Sequence, residues 1–245
     1  MYRFFVPPEN INNGRVSLQG GDVKHISQVL RLQVGDKIHV MDGLGHRFIV
    51  QLAEVKRREI VGRILSKEKC RTESPLRVRM GQALIKGNKL DGVVRKSVEL
   101  GVHSITAIRT ERCVAKAAKS AEAVKTARWR KIAREACKQC GRSETPHIDS
   151  AILSIDSFCA GSRDCDVKII FWESEEVTRL KDLKVPKVIS TVAFLAGPEG
   201  GFLPGEVDLA RKHGFRTVTL GPRILKADSA SPAILAILQN LWGDL

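Results

Sequence analysis

The sequence predicts an α/β protein in two parts, a small β-barrel followed by a larger α/β domain with a mainly parallel sheet. Two observations support this fold class. Short runs of β-branched and apolar residues, separated by Gly-rich turns, fill residues 1–73. From residue 74 onward, strand-like and helix-like segments alternate, which is typical of parallel β-α-β units. We therefore place one domain at 1–73 and a second at 74–245.

Four strands are predicted in the first part, at residues 3–6, 37–43, 46–55 and 59–66. A short basic helix is predicted near residues 23–30, because Val23, Ile26, Val29 and Leu30 recur at helical spacing. Residues 70–74 are followed by Pro75 and are predicted to link the two parts.

The second part is predicted to contain five strands and four helices. The strands are predicted at 78–85, 104–110, 166–173, 187–197 and 217–221, and the helices at 90–101, 121–140, 205–214 and 229–243. Gly101 and Gly214 are expected to end two of the helices. Pro232 is expected in the first turn of the last helix, where proline is tolerated. The long helix is expected to turn these residues to one side: Val124, Trp129, Ile132, Ala133, Ala136 and Cys140.

The positive charge is concentrated in the first two thirds of the chain. Its net charge is +14, from 41 Lys and Arg against 27 Asp and Glu. Residues 1–73 contain 13 basic and 8 acidic residues, residues 74–165 contain 18 and 9, and residues 166–245 contain 10 of each. This distribution favours a polyanion such as nucleic acid as the partner of the first two segments, over a merely solubilising surface. It also suggests that the positive charge of residues 1–165 binds the polyanion, whereas the neutral last third performs the chemistry.

Several classes of protein are not expected from this composition. No apolar run reaches the length of a transmembrane helix, and residues 1–10 lack the pattern of a secretion signal. Six cysteines are too few for a disulfide scaffold, so we expect a cytoplasmic protein with reduced thiols. An aromatic content of 5% argues against successive base stacking as the mode of nucleic-acid binding.

Two Gly-rich segments follow predicted strands and are the best candidates for a ligand site. The first, AGPEGGF at 196–202, lets backbone amides approach a ligand, but its spacing is neither that of a Walker loop nor that of the dinucleotide fingerprint. The second, LGPRILKADSASPA, spans 220–233. Both lie where ligands of open α/β sheets bind, beyond the carboxyl ends of strands. A tight turn at the first, and helix capping by Asp228 or Ser229 at the second, are the structural alternatives.

Other reactive residues do not form a recognisable site. Cys137 and Cys140 have the spacing of half a zinc site but fall within a predicted helix, so we interpret them as buried helix cysteines and expect no metal. The six histidines show no ligand spacing. The run from Arg109 to Arg142 contains 11 basic and 3 acidic residues, and it is either a solvated helix face or a nucleic-acid ridge.

Several of these segments, taken in order, resemble one known family. The matching stretches are RFFV at 3–6, HISQVLRLQVGD at 25–36, DGLG at 42–45, KSVELGV at 96–102, RW at 128–129, EACKQCGR at 135–142, GPEGGF at 197–202, and GF with LGPRIL at 214–225. Each stretch alone is modest, but their order and spacing extend over nearly the whole chain. The sequence resembles the RsmE-type 16S rRNA uridine-N3 methyltransferases of the SPOUT superfamily.

The resemblance implies a fold, a cofactor and partners. It implies a PUA-like RNA-binding barrel and a C-terminal SPOUT domain with a deep trefoil knot. The implied cofactor is S-adenosylmethionine, and the implied partners are 16S rRNA in the small ribosomal subunit and a second copy of the chain. The implied reaction is methylation of N3 of a uridine, for which the enzyme must expose the base edge and remove its proton.

The resemblance also implies site residues. Cofactor contacts are expected from Trp172, Leu195, Gly197, Pro198, Glu199, Gly200, Leu220, Gly221, Ile224 and Leu225. Asp228 and Arg223 are the catalytic candidates, with Asp228 handling the proton or orienting Arg223. RNA contacts are expected from Arg3, His25, Arg31, Arg47, Lys86, Lys96, Arg112 and Arg142.

One departure from the family pattern leaves two alternatives open. The family usually reads RILRTETA where this chain reads RILKADSA at 223–230, so Lys226, Asp228 and Ser229 replace arginine, glutamate and threonine. The alternatives are a non-catalytic RNA-binding assembly factor that kept the fold, and a SPOUT enzyme that modifies another rRNA nucleotide.

Overall fold

The computed structural model describes residues 1–113 and 119–245, with the side chains of residues 119–121 excepted. Lys116, one cation of the predicted basic run, therefore lies outside the described residues. The chain divides into two compact units. The first unit comprises Met1–Glu73 with Arg134–Thr145, and the second comprises Ser74–Ala133 with Pro146–Leu245. The predicted boundary falls between the same two residues, 73 and 74, but residues 134–145 cluster with the first unit instead of the second.

The first unit is a six-stranded, mostly antiparallel sheet around one apolar core. Its strands are β1 (Arg3–Phe5), β2 (Ile11–Asn12), β3 (Arg15–Gln19), β4 (Lys37–Met41), β5 (His46–Val55) and β6 (Glu59–Lys69), in the spatial order β1-β4-β5-β6-β3-β2. The four predicted strands are present, and β2 and β3 were missed. Alternate residues such as Val16, Leu18, Val50 and Leu52 are buried, because successive side chains of a strand point to opposite faces.

The predicted short helix is present, with an irregular second half. Helix α1 (Gly21–Lys24) continues as one turn of π-helix at His25–Val29, and Val23 and Ile26 are buried in the core. Val29 is exposed, contrary to the helical pattern inferred from the sequence, since the wider π turn rotates it out of register. The chain then leaves the helix through Arg31 in the left-handed region, at φ 54°.

The carboxylate of Glu73 anchors the end of the first unit. It accepts hydrogen bonds from Nε and Nη2 of Arg142, at 2.9 and 2.7 Å, and from the backbone N–H groups of Ser143 and Glu144, both at 3.1 Å. Glu73, which lies within the predicted link 70–74, is therefore held against residues 142–144. Arg142 is only 6% exposed, which corrects its prediction as an RNA contact: the guanidinium is used inside the fold.

The second unit is built on a parallel sheet, as the alternation of segments predicts. Its strands are β7 (Arg77–Ala83), β8 (Ser104–Arg109), β9 (His147–Ile148), β10 (Leu153–Ser154), β11 (Val167–Phe171), β12 (Thr191–Ala196) and β13 (Arg216–Val218). They lie in the order β10-β8-β7-β12-β11-β13, with β9 also pairing with β8, and every pair is parallel. Its helices are α2 (Lys89–Glu99), α4 (Ile155–Gly161), α5 (Pro204–Lys212), α6 (Ala227–Trp242) and the part before residue 134 of α3 (Lys119–Cys140).

Helix α3 is present, but one residue of its predicted buried side is wrong. Trp129, Ala133 and Ala136 are buried, whereas Val124 is 70% exposed. Position 124 is five residues before Trp129, which places it well around the helix from that side chain. Thr126 is buried in its place, at the three- to four-residue spacing that the other buried positions follow.

Helix α6 begins earlier than its sequence pattern suggests. Its first residue is Ala227, so Pro232 lies inside the helix and not in its first turn. The residue before the helix, Lys226, makes no side-chain capping hydrogen bond, and Asp228 and Ser229 lie within the first turn. The capping role considered for these two residues is therefore not observed. Along α6, buried Ile234, Leu235 and Leu238 pack the helix onto the domain.

The cysteines are reduced, and no metal-binding cluster occurs among them. All six are free thiols. Cys137 is fully buried, and burial raises the pKa of its thiol to about 12, which makes it a poor metal ligand and nucleophile. Within residues 1–113 and 119–245, no group of three His, Cys, Asp or Glu side chains is arranged to bind a metal. No helix in that same part of the chain is both long and apolar enough to cross a membrane.

Removing the Glu73 carboxylate should destabilise the first unit. We expect Glu73→Ala to lower the free energy of unfolding by about 3 kcal/mol, because it removes the carboxylate that pairs with the buried guanidinium of Arg142. The matched control is Glu68→Ala, which removes the exposed ion pair to Arg47 and should cost less than about 1 kcal/mol. Chemical denaturation measures both values, and equal losses would contradict the anchoring role of Glu73.

Candidate functional site

Three strands of the second unit end side by side at one edge of the sheet. In the parallel register Phe171 of β11 is the partner of both Ala196 of β12 and Val218 of β13. Each of these residues is the last of its strand, so the three following loops leave the sheet at the same level. They enclose a cavity of about 600 Å³, within the range of small-molecule sites in proteins.

Both Gly-rich segments predicted from the sequence line this cavity. The predicted cofactor residues that line it are Trp172, Gly197, Pro198, Glu199, Gly200, Leu220, Gly221, Ile224 and Leu225. Leu195 does not line it, because its side chain is fully buried within β12. The cavity thus joins two segments that the sequence places about twenty residues apart and that only the sheet brings together.

The first loop forms a tight turn on the cavity wall. The N–H of Gly201 donates to the carbonyl of Pro198 at 3.0 Å, and Gly201 has φ 67°, a conformation that glycine adopts without strain. A Cβ at position 201 would overlap the carboxylate of Glu173, which lies against this glycine. Glycine at 201 is therefore needed both for its backbone angle and for its lack of a side chain.

The turn leads directly into helix α5. Pro204 is the first residue of this helix, and Glu206 accepts a hydrogen bond from the N–H of Leu203 at 2.8 Å. The other carboxylate oxygen of Glu206 accepts from the N–H of Glu111 at 2.9 Å. The end of the first loop is thus fixed to the segment that follows β8.

Glu199 points away from the Gly-rich backbone toward a neighbouring loop. Its carboxylate accepts from the N–H of Lys86 at 3.0 Å and lies 3.5 Å from Nζ of Lys89. Burial acts to raise the pKa of Glu199, but hydrogen bonds from the backbone N–H groups of Glu199 and Lys86 and the charge of Lys89 outweigh it, so this pKa lies below its usual value. Glu199 is therefore ionised at neutral pH, and its contacts with Lys86 and Lys89 hold the first Gly-rich loop against the segment that follows β7.

Trp172 forms a fixed wall after β11. Its Nε1–H donates to the carbonyl of Phe202 at 3.3 Å, and the guanidinium of Arg211 lies 5.8 Å from its ring centroid. Glu175, three residues further, accepts from the N–H of Thr178 and the hydroxyl of Thr217, which lower the pKa of its carboxyl. These contacts hold the third loop in place.

The second Gly-rich loop is apolar and exposed where it borders the cavity. Ile224 is 87% exposed and Leu225 is 39% exposed, which is unusual for residues of this type. Gly221, at φ 104°, turns the chain, and its N–H donates to the hydroxyl of Thr219 at 3.2 Å. An apolar, flat ligand group against this loop would cover these side chains.

The two predicted catalytic residues are placed differently. Arg223 lines the cavity, whereas Asp228 lies in the first turn of α6 and does not line it. In the described residues no hydrogen bond or ion pair joins Asp228 to Arg223, and Oδ1 of Asp228 is buried without a hydrogen-bond partner.

The sequence interpretation missed Lys89, Glu173 and Gly201, which also line the cavity. Gly201 belongs to the GPEGGF segment that was identified, and Glu173 directly follows the predicted wall residue Trp172.

The predicted RNA contacts differ in their availability. His25, Arg31, Lys86, Lys96 and Arg112 are exposed. Arg3 donates to the carbonyls of Lys138 and Gln139 at the end of α3, and Arg47 pairs with Glu68 at 2.8 Å, so these two side chains already have partners within the first unit.

Comparison with known proteins shows two matching families. Residues 72–239 match the RNA methyltransferase domain family, and residues 18–65 match the RNA methyltransferase PUA domain. The chain is 32% identical to the ribosomal RNA small subunit methyltransferase E of Buchnera aphidicola subsp. Schizaphis graminum, over 95% of this chain and 93% of that protein. It is 31% identical to the protein of the same name from Synechocystis, over 98% of this chain and 78% of that protein.

Two solved structures have the same fold over the full chain. One is the ribosomal RNA small subunit methyltransferase E of Neisseria gonorrhoeae bound to S-adenosylmethionine, at 32% identity and a TM-score of 0.90, with 100% of this chain and 99% of that chain covered. The other is a methyltransferase structure from Legionella pneumophila in complex with bound S-adenosylmethionine, at 34% identity and a TM-score of 0.91. It covers 100% of this chain and 99% of that chain.

Introducing a side chain at position 201 should distort the first loop. We expect Gly201→Ala to lower the free energy of unfolding by roughly 1–3 kcal/mol, from the positive φ and from the overlap with Glu173. The double variant Gly201→Ala with Glu173→Ala should recover part of this loss, because the overlap is removed while the backbone strain remains. Thermal denaturation tests this, and strictly additive effects would show that the two residues do not interact.

Proposed function

The chain belongs to the RNA methyltransferase family with a PUA domain, and from this membership we propose that it transfers the methyl group of S-adenosylmethionine to small-subunit ribosomal RNA. The supporting observation is the cavity at the in-register ends of β11, β12 and β13, which is lined by both Gly-rich loops. Relatives named ribosomal RNA small subunit methyltransferase E extend over most of the chain.

The residues of the cavity fit this cofactor. Exposed Ile224 and Leu225, with Leu220, offer an apolar slot for an adenine ring, and the glycine backbone of 197–201 leaves room for close approach. Glu173 lines the cavity and makes no hydrogen bond or ion pair within the described residues, which suits a cationic or hydroxyl-bearing ligand. When bound, S-adenosylmethionine supplies a methyl group on a positively charged sulfur.

We propose N3 of a uridine as the methylated atom, as the family resemblance implies. The chain must then orient the base for in-line transfer and accept the N3 proton. Arg223 lies at the cavity wall, where its guanidinium can orient a carbonyl oxygen or phosphate of the RNA. Asp228 is our candidate for the proton acceptor from the family resemblance, and it lies in the first turn of α6, outside the lining of the cavity.

Methyl incorporation into assembled small ribosomal subunits, followed by mapping of the modified base, tests the function. We expect one methyl group per subunit, at N3 of a single uridine. Transfer to a different rRNA nucleotide would identify a SPOUT enzyme of other specificity. Cofactor or RNA binding without turnover would instead favour the assembly-factor alternative that the segment 226–229 leaves open.

We also propose that the enzyme acts as a homodimer and contains the trefoil knot that the resemblance implies. Ile237 and Leu241 lie one turn apart on α6 and are 41% and 46% exposed, and Leu245, just past the end of this helix, is 60% exposed. Exposed apolar side chains grouped in this way are typical of a surface that a partner covers. Sedimentation equilibrium should give twice the monomer mass, and a monomer at micromolar concentration would refute the dimer.

Substitutions in the first loop should remove cofactor binding. We expect Gly197→Val and Gly200→Val to weaken the binding of S-adenosylmethionine at least tenfold, because the ring of Phe202 and the side chain of Arg112 already lie 3.3 and 3.2 Å from the new Cβ positions. Gly92→Val is the control, since no atom lies within 4 Å of its Cβ position. Calorimetry with circular dichroism separates lost affinity from lost folding, and undiminished affinity would refute the loop assignment.

Charge reversal on the first unit should weaken RNA binding in a salt-dependent way. We expect Arg31→Glu to reduce affinity for small-subunit rRNA and to lower the slope of log affinity against log salt by roughly 0.7–0.9. Arg58→Glu changes the same charge in the same unit and serves as the control. An equal effect of both variants would indicate a general charge effect and remove Arg31 from the footprint.

A further inference from the structure

The first Gly-rich loop has an outer side that faces away from the cavity. Segments that follow two other strands, β7 and β8, contact this side. After β7, Lys86 and Lys89 contact Glu199, and after β8, the N–H of Glu111 donates to Glu206. The loop therefore lies between the cavity and these contacting residues. Of Lys86, Lys89 and Glu111, only Lys89 also lines the cavity.

Arg112 contacts the loop at its centre. Its Nη1–H donates to the carbonyl of Gly200 at 2.7 Å, a short and charge-assisted hydrogen bond. A Cβ at position 200 would lie 3.2 Å from Cβ of Arg112, so the backbone of Gly200 packs against the aliphatic part of this side chain. Arg112 does not line the cavity, and any effect it has on a bound ligand must pass through the loop.

The Gly200 carbonyl belongs to a peptide group that is easily reoriented. This peptide joins Gly200 to Gly201, and neither residue has a side chain that restricts rotation of the plane between them. Because the peptide group is planar and trans, its C=O and N–H point in opposite directions. With the carbonyl directed outward to Arg112, the N–H of Gly201 is directed toward the carbonyl of Pro198, which it meets at 3.0 Å.

From this geometry we propose that Arg112 is a positioning residue for the cofactor loop. Its guanidinium fixes the orientation of the Gly200–Gly201 peptide and so keeps the turn 198–201 in the form that borders the cavity. Without it, the di-glycine peptide rotates, the hydrogen bond from Gly201 to Pro198 is lost, and the loop presents a different set of backbone groups to the ligand. The inference rests on the proposed function, in that the ligand is S-adenosylmethionine.

The test compares three variants by calorimetry with S-adenosylmethionine in the absence of RNA. We expect Arg112→Ala to weaken binding on the order of tenfold, and Arg112→Lys to recover part of the loss because it keeps one donor on an unbranched stem. Arg95→Ala is the matched control, an exposed arginine of α2 with no hydrogen bond or ion pair within the described residues, and should bind as the wild type does. In steady-state assays the KM for the cofactor should rise in Arg112→Ala, while kcat at saturation stays within about twofold.

A second readout does not depend on any ligand. Hydrogen exchange of the Gly201 amide should be faster in Arg112→Ala than in the wild type, while exchange in β12 and α5 and the melting temperature stay unchanged. If the wild type failed to bind S-adenosylmethionine, the proposed function would fail, and the exchange experiment would still decide the role of Arg112.

Three results would overturn the inference. The first is an unchanged cofactor affinity and Gly201 exchange in Arg112→Ala. The second is a loss confined to RNA affinity, which would make Arg112 an RNA contact alone. The third is an equal loss of cofactor affinity in Arg95→Ala, which would show an effect of net charge.

Discussion

The site depends on one constraint, the register of three parallel strands. Because Phe171, Ala196 and Val218 are paired as neighbours and each ends its strand, three loops that are distant in sequence leave the sheet at one level. A shift of register would separate the loops, and the cavity of about 600 Å³ would no longer be enclosed by both Gly-rich segments. The buried side chains of β11 and β12 oppose such a shift, since these strands pack into an apolar core.

Register brings the loops together but does not fix their conformation. Glycine-rich backbone has little conformational preference of its own, so the first loop takes its form from contacts outside the cavity. Glu199 and Glu206 contact segments that follow β7 and β8, and Arg112 of the segment after β8 contacts Gly200. A loop that must admit a ligand closely cannot be stabilised by bulky side chains on its inner side, which explains why the fixing interactions are charged and lie outside.

The sequence allowed the fold class, most elements and both ligand loops to be predicted. These features depend on local signals, namely alternation of apolar residues, helix ends and Gly-rich turns after strands. It did not allow the placement of residues 134–145 in the first unit or the burial of Arg142 against Glu73, because both depend on contacts between residues distant in sequence. A buried arginine and a docking arginine look the same in a sequence. Resemblance to a known family supplied the cofactor, the substrate and the expected knot, none of which periodicity or composition reveals.

The charge counts suggest that the basic residues of the first two thirds bind RNA and that the neutral last third alone forms the site. This division is too strict. The last third of the chain is neutral overall and contains both Gly-rich loops. Yet residues of the middle third contact the first of these loops: the backbone N–H of Lys86 and the ammonium of Lys89 meet Glu199, and the guanidinium of Arg112 meets Gly200. Lys86 and Arg112 are also exposed and predicted to contact RNA. The sheet order places β7 beside β12 and β8 beside β7, so residues that are predicted to contact RNA also contact the loop that borders the cavity. Phosphate groups bound at this surface would therefore act on the same contacts that define the loop.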